Sequence, residues 1–298
     1  MENRDARIEE IAEIIKRLNY KPVPFTNPEL FPPLDDFIYP NYVFFMVAID
    51  HKTGFDVKWK YQGSDLLFYL ARRKQIEEGD FFTAKKLVNI KTSEISQIFT
   101  FEGKKVRNVE ERAFLLRDCA RKLIENYQGD IMNLIKVSDF RISEIAEKLK
   151  IFAAYEDPLM KKTFLFLKIL KRAGFEFKDP HNLKFPIDSV LVRVALCLDI
   201  LEIDKELMKK IMLGIPISPS EALRLRKKTG EVLELLSKKS GIEPDVLDDI
   251  LWNYGRAIDR EIETPIDERV NVNVLKDFLE LLRRRRLPEI NFPPSWYF

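Results

Sequence analysis

Cysteine is almost missing from this 298-residue chain, with Cys119 and Cys197 alone. Two thiols build no disulfide framework. Both fall within apolar helical patterns, so they read as buried free thiols of a cytoplasmic protein. Histidine is as scarce, with only His51 and His181. The four residues share no metal-ligand spacing, and neither a metal nor a cofactor is expected. Ten glycines form no phosphate-binding loop, no dinucleotide fingerprint and no nucleophile elbow. No apolar run approaches the roughly 20 residues that cross a bilayer, and the start MENRDARIEE is not a signal peptide, so no membrane partner is expected. An excess of one charge is also lacking. Lys plus Arg number 50 against 48 Asp plus Glu, a net charge of +2, and a protein dedicated to gripping duplex nucleic acid is usually more basic. Four glutamines beside 33% charged residues suggest a thermophilic source.

What is present is core material and helical periodicity. Hydrophobic residues make up 46% of the chain, enough for one large domain or two merged lobes. Ile8, Ile11, Ile14, Ile15 and Leu18 predict a helix over 5–19. Residues 21–41 carry six prolines and no periodicity, as an extended arm would. Val43, Phe45, Val47 and Ile49 alternate, as do Phe55, Val57, Trp59 and Tyr61, which predicts a β-hairpin turning near His51–Gly54. Helices are expected near 64–78, 83–88, 92–99, 109–127, 139–151, 158–173, 188–199, 204–212, 219–238, 244–260 and 272–286. The fold class is therefore mostly α, a two-lobed helical bundle with a small N-terminal β-hairpin or sheet. Within one domain spanning 1–298, residues 1–62 hold the N-terminal helix, arm and β element. Residues 63–152 form a first helical lobe, 153–260 a catalytic lobe, and 261–298 a C-terminal helix and tail. The apolar end, Phe292 to Phe298, is expected to dock on the body or on a second subunit. The oligomeric state is left open.

Two helix starts carry the chemistry. Asp157 and Pro158 suit the cap and first position of a helix running Leu159–Arg172. Lys162 then falls in its second turn, where the positive helix end and neighbouring Lys161 lower its pKa and favour nucleophilicity. Asp188, after Phe185-Pro186-Ile187, opens the next apolar helix. An Asp in such a place is most often a plain cap, and a Lys most often solvated. The apolar stretch before Asp50 makes that carboxylate expensive unless a turn exposes it or a partner binds it. Asp50 and Asp56 are candidates for reading base N–H groups, and Phe45, Phe55 and Trp59 for a stacking slot. Core and turn roles are the ordinary alternatives for each.

Lys162-Thr163, followed by Pro186-Ile187-Asp188-Ser189-Val190-Leu191-Val192-Arg193, resembles the core of the helix-hairpin-helix DNA glycosylases. That resemblance makes Lys162 a Schiff-base lysine, Asp188 the catalytic aspartate and Arg193 its companion. The preceding hairpin reads Tyr155-Glu156-Asp157-Pro158 where the family has Gly-x-Gly. A second resemblance runs over roughly residues 35–260, to the queuosine-salvage proteins, nucleotide N-glycosidases on a related helical fold. It is carried by Val43 to Asp50, by Glu110 to Arg117 with Leu123 to Asp130, by Arg226-Lys227-Lys228-Thr229 with Glu234-Leu235-Leu236, and by Leu251-Trp252-Asn253-Tyr254-Gly255-Arg256.

These resemblances imply cleavage of a base–ribose C–N bond. Asp188 and Lys162 would be the catalytic pair, facing each other across one cleft. Phe45, Asp50, Phe55, Asp56, Trp59, Lys161, Arg193 and Arg226 would bind substrate. A free nucleotide or nucleoside is the favoured partner, releasing a queuine-type base in queuosine salvage and so linked to tRNA modification. A DNA glycosylase/lyase acting on nucleic acid is the alternative, and a non-catalytic helical nucleotide- or nucleic-acid-binding protein is the third reading.

Overall fold

The computed structural model describes residues 2–55, 57, 59–258 and 269–297. Its helices run α1 (Glu2–Leu18), α2 (Tyr39–Ile49), α3 (Ser64–Glu78), α4 (Ala84–Leu87), α5 (Thr92–Ile98), α6 (Val109–Tyr127), α7 (Ile131–Val137), α8 (Ile142–Leu149), α9 (Lys161–Arg172), α10 (Ser189–Cys197), α11 (Lys205–Met212), α12 (Pro219–Ser240), α13 (Pro244–Gly255) and α14 (Val272–Arg284). The chain is mostly α, as its periodicity predicts. None of these helices is long and apolar enough to cross a membrane.

By compactness the chain divides into two units, Met1–Val23 with Lys184–Ser295, and Pro24–Leu183 with Trp296–Phe298. This division does not follow the lobes read from the sequence, since 153–183 groups with the segments before it and α1 groups with the segments after 183.

The second of these units is built around α2, and here the structure corrects the sequence. The stretch expected as the first hairpin strand is helical, and all eleven of its residues are buried. A helix covered on every side carries apolar residues at every position, so its sequence has no helical stripe to show. The alternation over 43–49 was a coincidence within that uniform run. Pro40 stands in the first turn, where a missing N–H costs nothing. Helices α6, α7 and α9 pack against α2. Among the described residues the strands are β1 (Thr100–Phe101) and β2 (Lys104–Lys105), an antiparallel pair. Glu102 and Gly103 both have positive φ between them, the two-residue turn that suits strand twist. Residues 55–61 form no strand where they are described. The α7 helix went unread, and the expected 139–151 helix is shorter, as α8. Asp179, distant in sequence, accepts from the backbone N–H groups of Ile142 and Ser143 at the start of α8.

In the other unit, α10 packs against α12, α13 and α14, and α1 lies against α12 and α14. Ser218 and Glu221 form a capping box at the start of α12, with Pro219 in its first turn. Gly255, at the end of α13, faces α10. A Cβ there would stand 2.3 Å from Val194 Cγ2, so only glycine lets the two helices approach this closely.

The C-terminal aromatics dock as expected on the body, within the α2 unit. Trp296 Nε1 donates to Ala153 O at 2.9 Å, and Tyr297 OH donates to Glu156 Oε1 at 3.2 Å.

Candidate functional site

The last turn of any helix leaves carbonyls without intrahelical partners. In α2 these oxygens, and the one just beyond, are met by two cationic side chains. Lys162 Nζ donates to Ala48 O at 2.6 Å. Arg112, on α6, donates to Ile49 O and His51 O, and through Nε to Arg107 O at 2.8 Å. Both side chains are fully buried. The negative end of the α2 dipole offsets part of their desolvation. Burial nevertheless pulls the Lys162 pKa well below its ordinary value, and the Lys161 charge pulls it further. Arg112 is lowered by burial to about 10, with Asp50 and Glu111 opposing the fall.

The local start of α9 differs from the sequence reading. The helix begins at Lys161 behind Met160, whose φ is positive, so Lys162 lies in the first turn. Asp157 is not its cap residue. Its carboxylate accepts instead from the N–H groups of Leu159 at 3.2 Å and Lys161 at 2.9 Å, closing the turn that leads in. Lys161 is itself buried. The depressed Lys162 pKa was foreseen, but its leading cause is burial rather than the helix end.

His51 completes this cluster. Its ring is buried, with Nδ1 3.3 Å from Lys162 Nζ and Nε2 2.6 Å from Glu111 Oε1. The latter is a close contact out of line for a hydrogen bond. Burial, then the charges of Lys162, Arg112, Lys161 and Lys52, push the His51 pKa far down, so the ring is neutral at pH 7. Asp50 caps the C-terminus of α2, and its Oδ1 accepts from Ser64 Oγ at 2.6 Å.

Asp188 sits in the other unit. It is the N-cap of α10, accepting from Leu191 N through Oδ1 at 2.9 Å. Its second oxygen accepts from Trp252 Nε1, on α13, at 3.2 Å. The Arg256 guanidinium stacks 3.9 Å from the centre of the Trp252 ring, a cation–π contact that holds the indole in place. Arg226 is buried on α12 and donates through Nε to Ile187 O at 3.0 Å, bracing the residue before the aspartate. Arg193 donates to Leu287 O from both Nε, at 2.8 Å, and a terminal nitrogen, and so ties α10 to the segment after α14. The Asp188 carboxylate is thus oriented at both oxygens, and the residue is half-buried.

Two of the three proposed stacking residues are core. Phe45 has no exposed surface and packs on Phe44, so it is core. Phe55 is buried in the same core. Trp59 is partly exposed and joins Tyr61, Tyr69 and Phe101, with ring centroids 4.7–5.6 Å away. Asp56 lies outside the described residues. The sequence reading missed His51, taken as a turn residue, and gave no role to Glu111, Arg112 or Trp252, although all three lie in stretches that carried the resemblance. No group of three or more His, Cys, Asp or Glu side chains that could hold a metal ion occurs among the described residues.

Residues 39–272 match the family model described as queuosine salvage protein. The chain belongs to that family. The matched span contains α2, Glu111, Arg112, Lys162, Asp188, Arg193, Arg226, Trp252 and Arg256. Among solved structures, one similar to this chain is an 8-oxoguanine DNA glycosylase from Pyrobaculum aerophilum, complexed with 8-oxoguanosine. The TM-score is 0.54 at 16% identity, and the match covers 98% of this chain and 100% of that one. At that identity the likeness is one of fold. No curated protein matches the chain.

Proposed function

We propose that this member of the queuosine salvage family is an N-glycosidase that hydrolyses the base–ribose C–N bond of a modified nucleotide, releasing a queuine-type base. The observation that carries this reading is the Asp188 carboxylate, held by Leu191 N and Trp252 Nε1 on a residue that is only half-buried. Departure of a base leaves positive charge at C1′ and the ring oxygen. A fixed carboxylate stabilises that charge without having to reorganise, and accepts a proton from the attacking water. Arg226 acts on the aspartate through the backbone, by bonding Ile187 O.

The experiment is release of free base from queuosine 5′-monophosphate, compared between wild type and Asp188→Asn. Asparagine caps a helix nearly as well as aspartate, so the fold should be kept. A neutral amide neither balances the cationic transition state nor takes the proton, and the expected loss is about 100-fold or more. A folded and fully active Asp188→Asn would refute the mechanism.

The second reading, a DNA glycosylase/lyase, is favoured by the depressed pKa of Lys162 near the start of α9. In that case the amine attacks C1′, and borohydride traps a protein–DNA adduct that Lys162→Ala does not form. The tie of Lys162 Nζ to Ala48 O weighs against this reading, and no adduct is expected.

A further inference from the structure

We propose that Glu111, His51 and Lys162 form a proton relay linking the buried Lys162 amine to solvent. This deepens the reading of Lys162 as a site residue. It makes His51 and Glu111 positioning residues, which act through the lysine.

Lys162 has no exposed surface, so its ammonium cannot exchange protons with water directly. Besides the Ala48 carbonyl, its nitrogen meets His51 Nδ1 at 3.3 Å. His51 is 3% exposed. Its other nitrogen lies 2.6 Å from Glu111 Oε1, on a side chain 29% exposed. The three groups thus form a line from the core to the surface. The Glu χ3 torsion is broad, and the relay requires the Glu111 carboxyl to turn until Oε1 lies in line with Nε2.

The flanking charges choose the tautomer. A carboxylate beside Nε2 favours a proton there, and a lysine N–H beside Nδ1 favours a lone pair there. The step balances as follows. Lys162 gives one ammonium proton to Nδ1. The Nε2–H bond breaks, and that proton passes to Glu111 Oε1. The imidazole stays neutral with its tautomer exchanged, Lys162 becomes a neutral amine, and the Glu111 carboxylic acid loses its proton to water. The reverse sequence recharges the lysine. Lys52, Lys161 and Arg112 add positive charge around the ring, while Asp50 and Glu111 supply the anions and Cys119 a thiol. The cationic surroundings keep His51 from storing a second proton, so it passes protons on.

Nitrogen NMR tests this without any substrate. Only two histidines exist, and His181→Gln assigns the pair. While Lys162 is charged, His51 should appear as the neutral Nε2–H tautomer, with no conversion to the imidazolium down to about pH 5. Exchange of the Lys162 ammonium protons with water should slow at least about tenfold in Glu111→Gln, because a glutamine oxygen accepts the hydrogen bond but takes no proton. A merely structural Glu111 would leave that rate unchanged. An Nδ1–H tautomer while Lys162 is charged, a titration near 6.5, or equal exchange in wild type and Glu111→Gln would overturn the relay. None of these outcomes bears on base release by Asp188, so the two readings fail separately.

Discussion

Gly255→Ala isolates the contact that sets α13 against α10, the helix capped by Asp188. In an open helix this change would stabilise by up to about 1 kcal/mol through propensity. Here the new methyl would stand 2.3 Å from Val194 Cγ2 and 3.4 Å from Val190 Cγ1. Val194 is fully buried and, being β-branched in a helix, has essentially one rotamer, so it cannot turn aside. The helices must then separate, and overpacking of this kind costs about 1–3 kcal/mol. The net expectation is a loss of about 1–2 kcal/mol. Val194→Ala alone should cost about 1.5–3 kcal/mol by removing buried methyl groups. In the double variant the added methyl enters the space that Val194 vacated. The double variant should therefore be at least as stable as Val194→Ala, giving a favourable coupling of about 1–3 kcal/mol. Urea unfolding of the four proteins, followed by far-ultraviolet circular dichroism, measures the cycle. Additive costs, or a Gly255→Ala protein as stable as wild type, would show that this contact does not set the helix spacing.

Trp252→Phe keeps a ring under Arg256 but removes the donor to Asp188. It should lower kcat for base release about tenfold, the worth of one hydrogen bond to a charged group, and equal kcat would remove Trp252 from the site. Lys162→Met tests the buried cation. In the unfolded chain this lysine stays protonated up to about pH 10.4, while the fold holds its pKa well below that. The unfolded state therefore binds more protons, and stability rises with pH from the depressed folded value up to about 10.4. That slope should flatten in Lys162→Met, and an unchanged slope in urea titrations across the window would mean an ordinary lysine. Asp179 gives a slope of the same sign, but in acid. Burial alone would raise its pKa, but bonds from Asn182, Ser143 and Ile142 outweigh this and hold it at about 2. Its contribution is complete above about pH 4 and fades as pH falls through about 2. Asp179→Ala should cost about 1–2 kcal/mol at pH 7, with the gap to wild type narrowing in acid; a gap constant down to pH 2 would contradict the assignment.

Amphipathic helices were legible because each shows water one face. The bounds of α3 and α6 agree with the expected 64–78 and 109–127, and α12 starts where the expected 219–238 helix does. Asp188 was legible as a helix opener for the same local reason, since a cap and its helix are adjacent in sequence. Its second partner was not. Trp252 lies 64 residues away, and nothing local distinguishes an indole that donates to a carboxylate from one that only packs. Asp179 is a parallel case, reaching a helix start 37 residues before it.

What the sequence did not show around Lys162 traces to α2. Read as an edge of alternating apolar residues, 43–49 ends in an ordinary turn, and no cation is needed there. As a helix buried on every side, it ends with carbonyls that no water can reach. Each unmet group of that kind costs about 1–3 kcal/mol. Charged donors are the strongest means of meeting them, and a helix C-terminus is where a cation is electrostatically welcome. Two cations must then enter the core, and Lys162 and Arg112 do. Burial lowers the pKa of His51 and their charges lower it further, which leaves a neutral ring set between an amine and a carboxylate. The helical state of one apolar segment thus brings in the buried lysine, and burial with the lysine's charge keeps the histidine beside it neutral, a proton carrier rather than a charge.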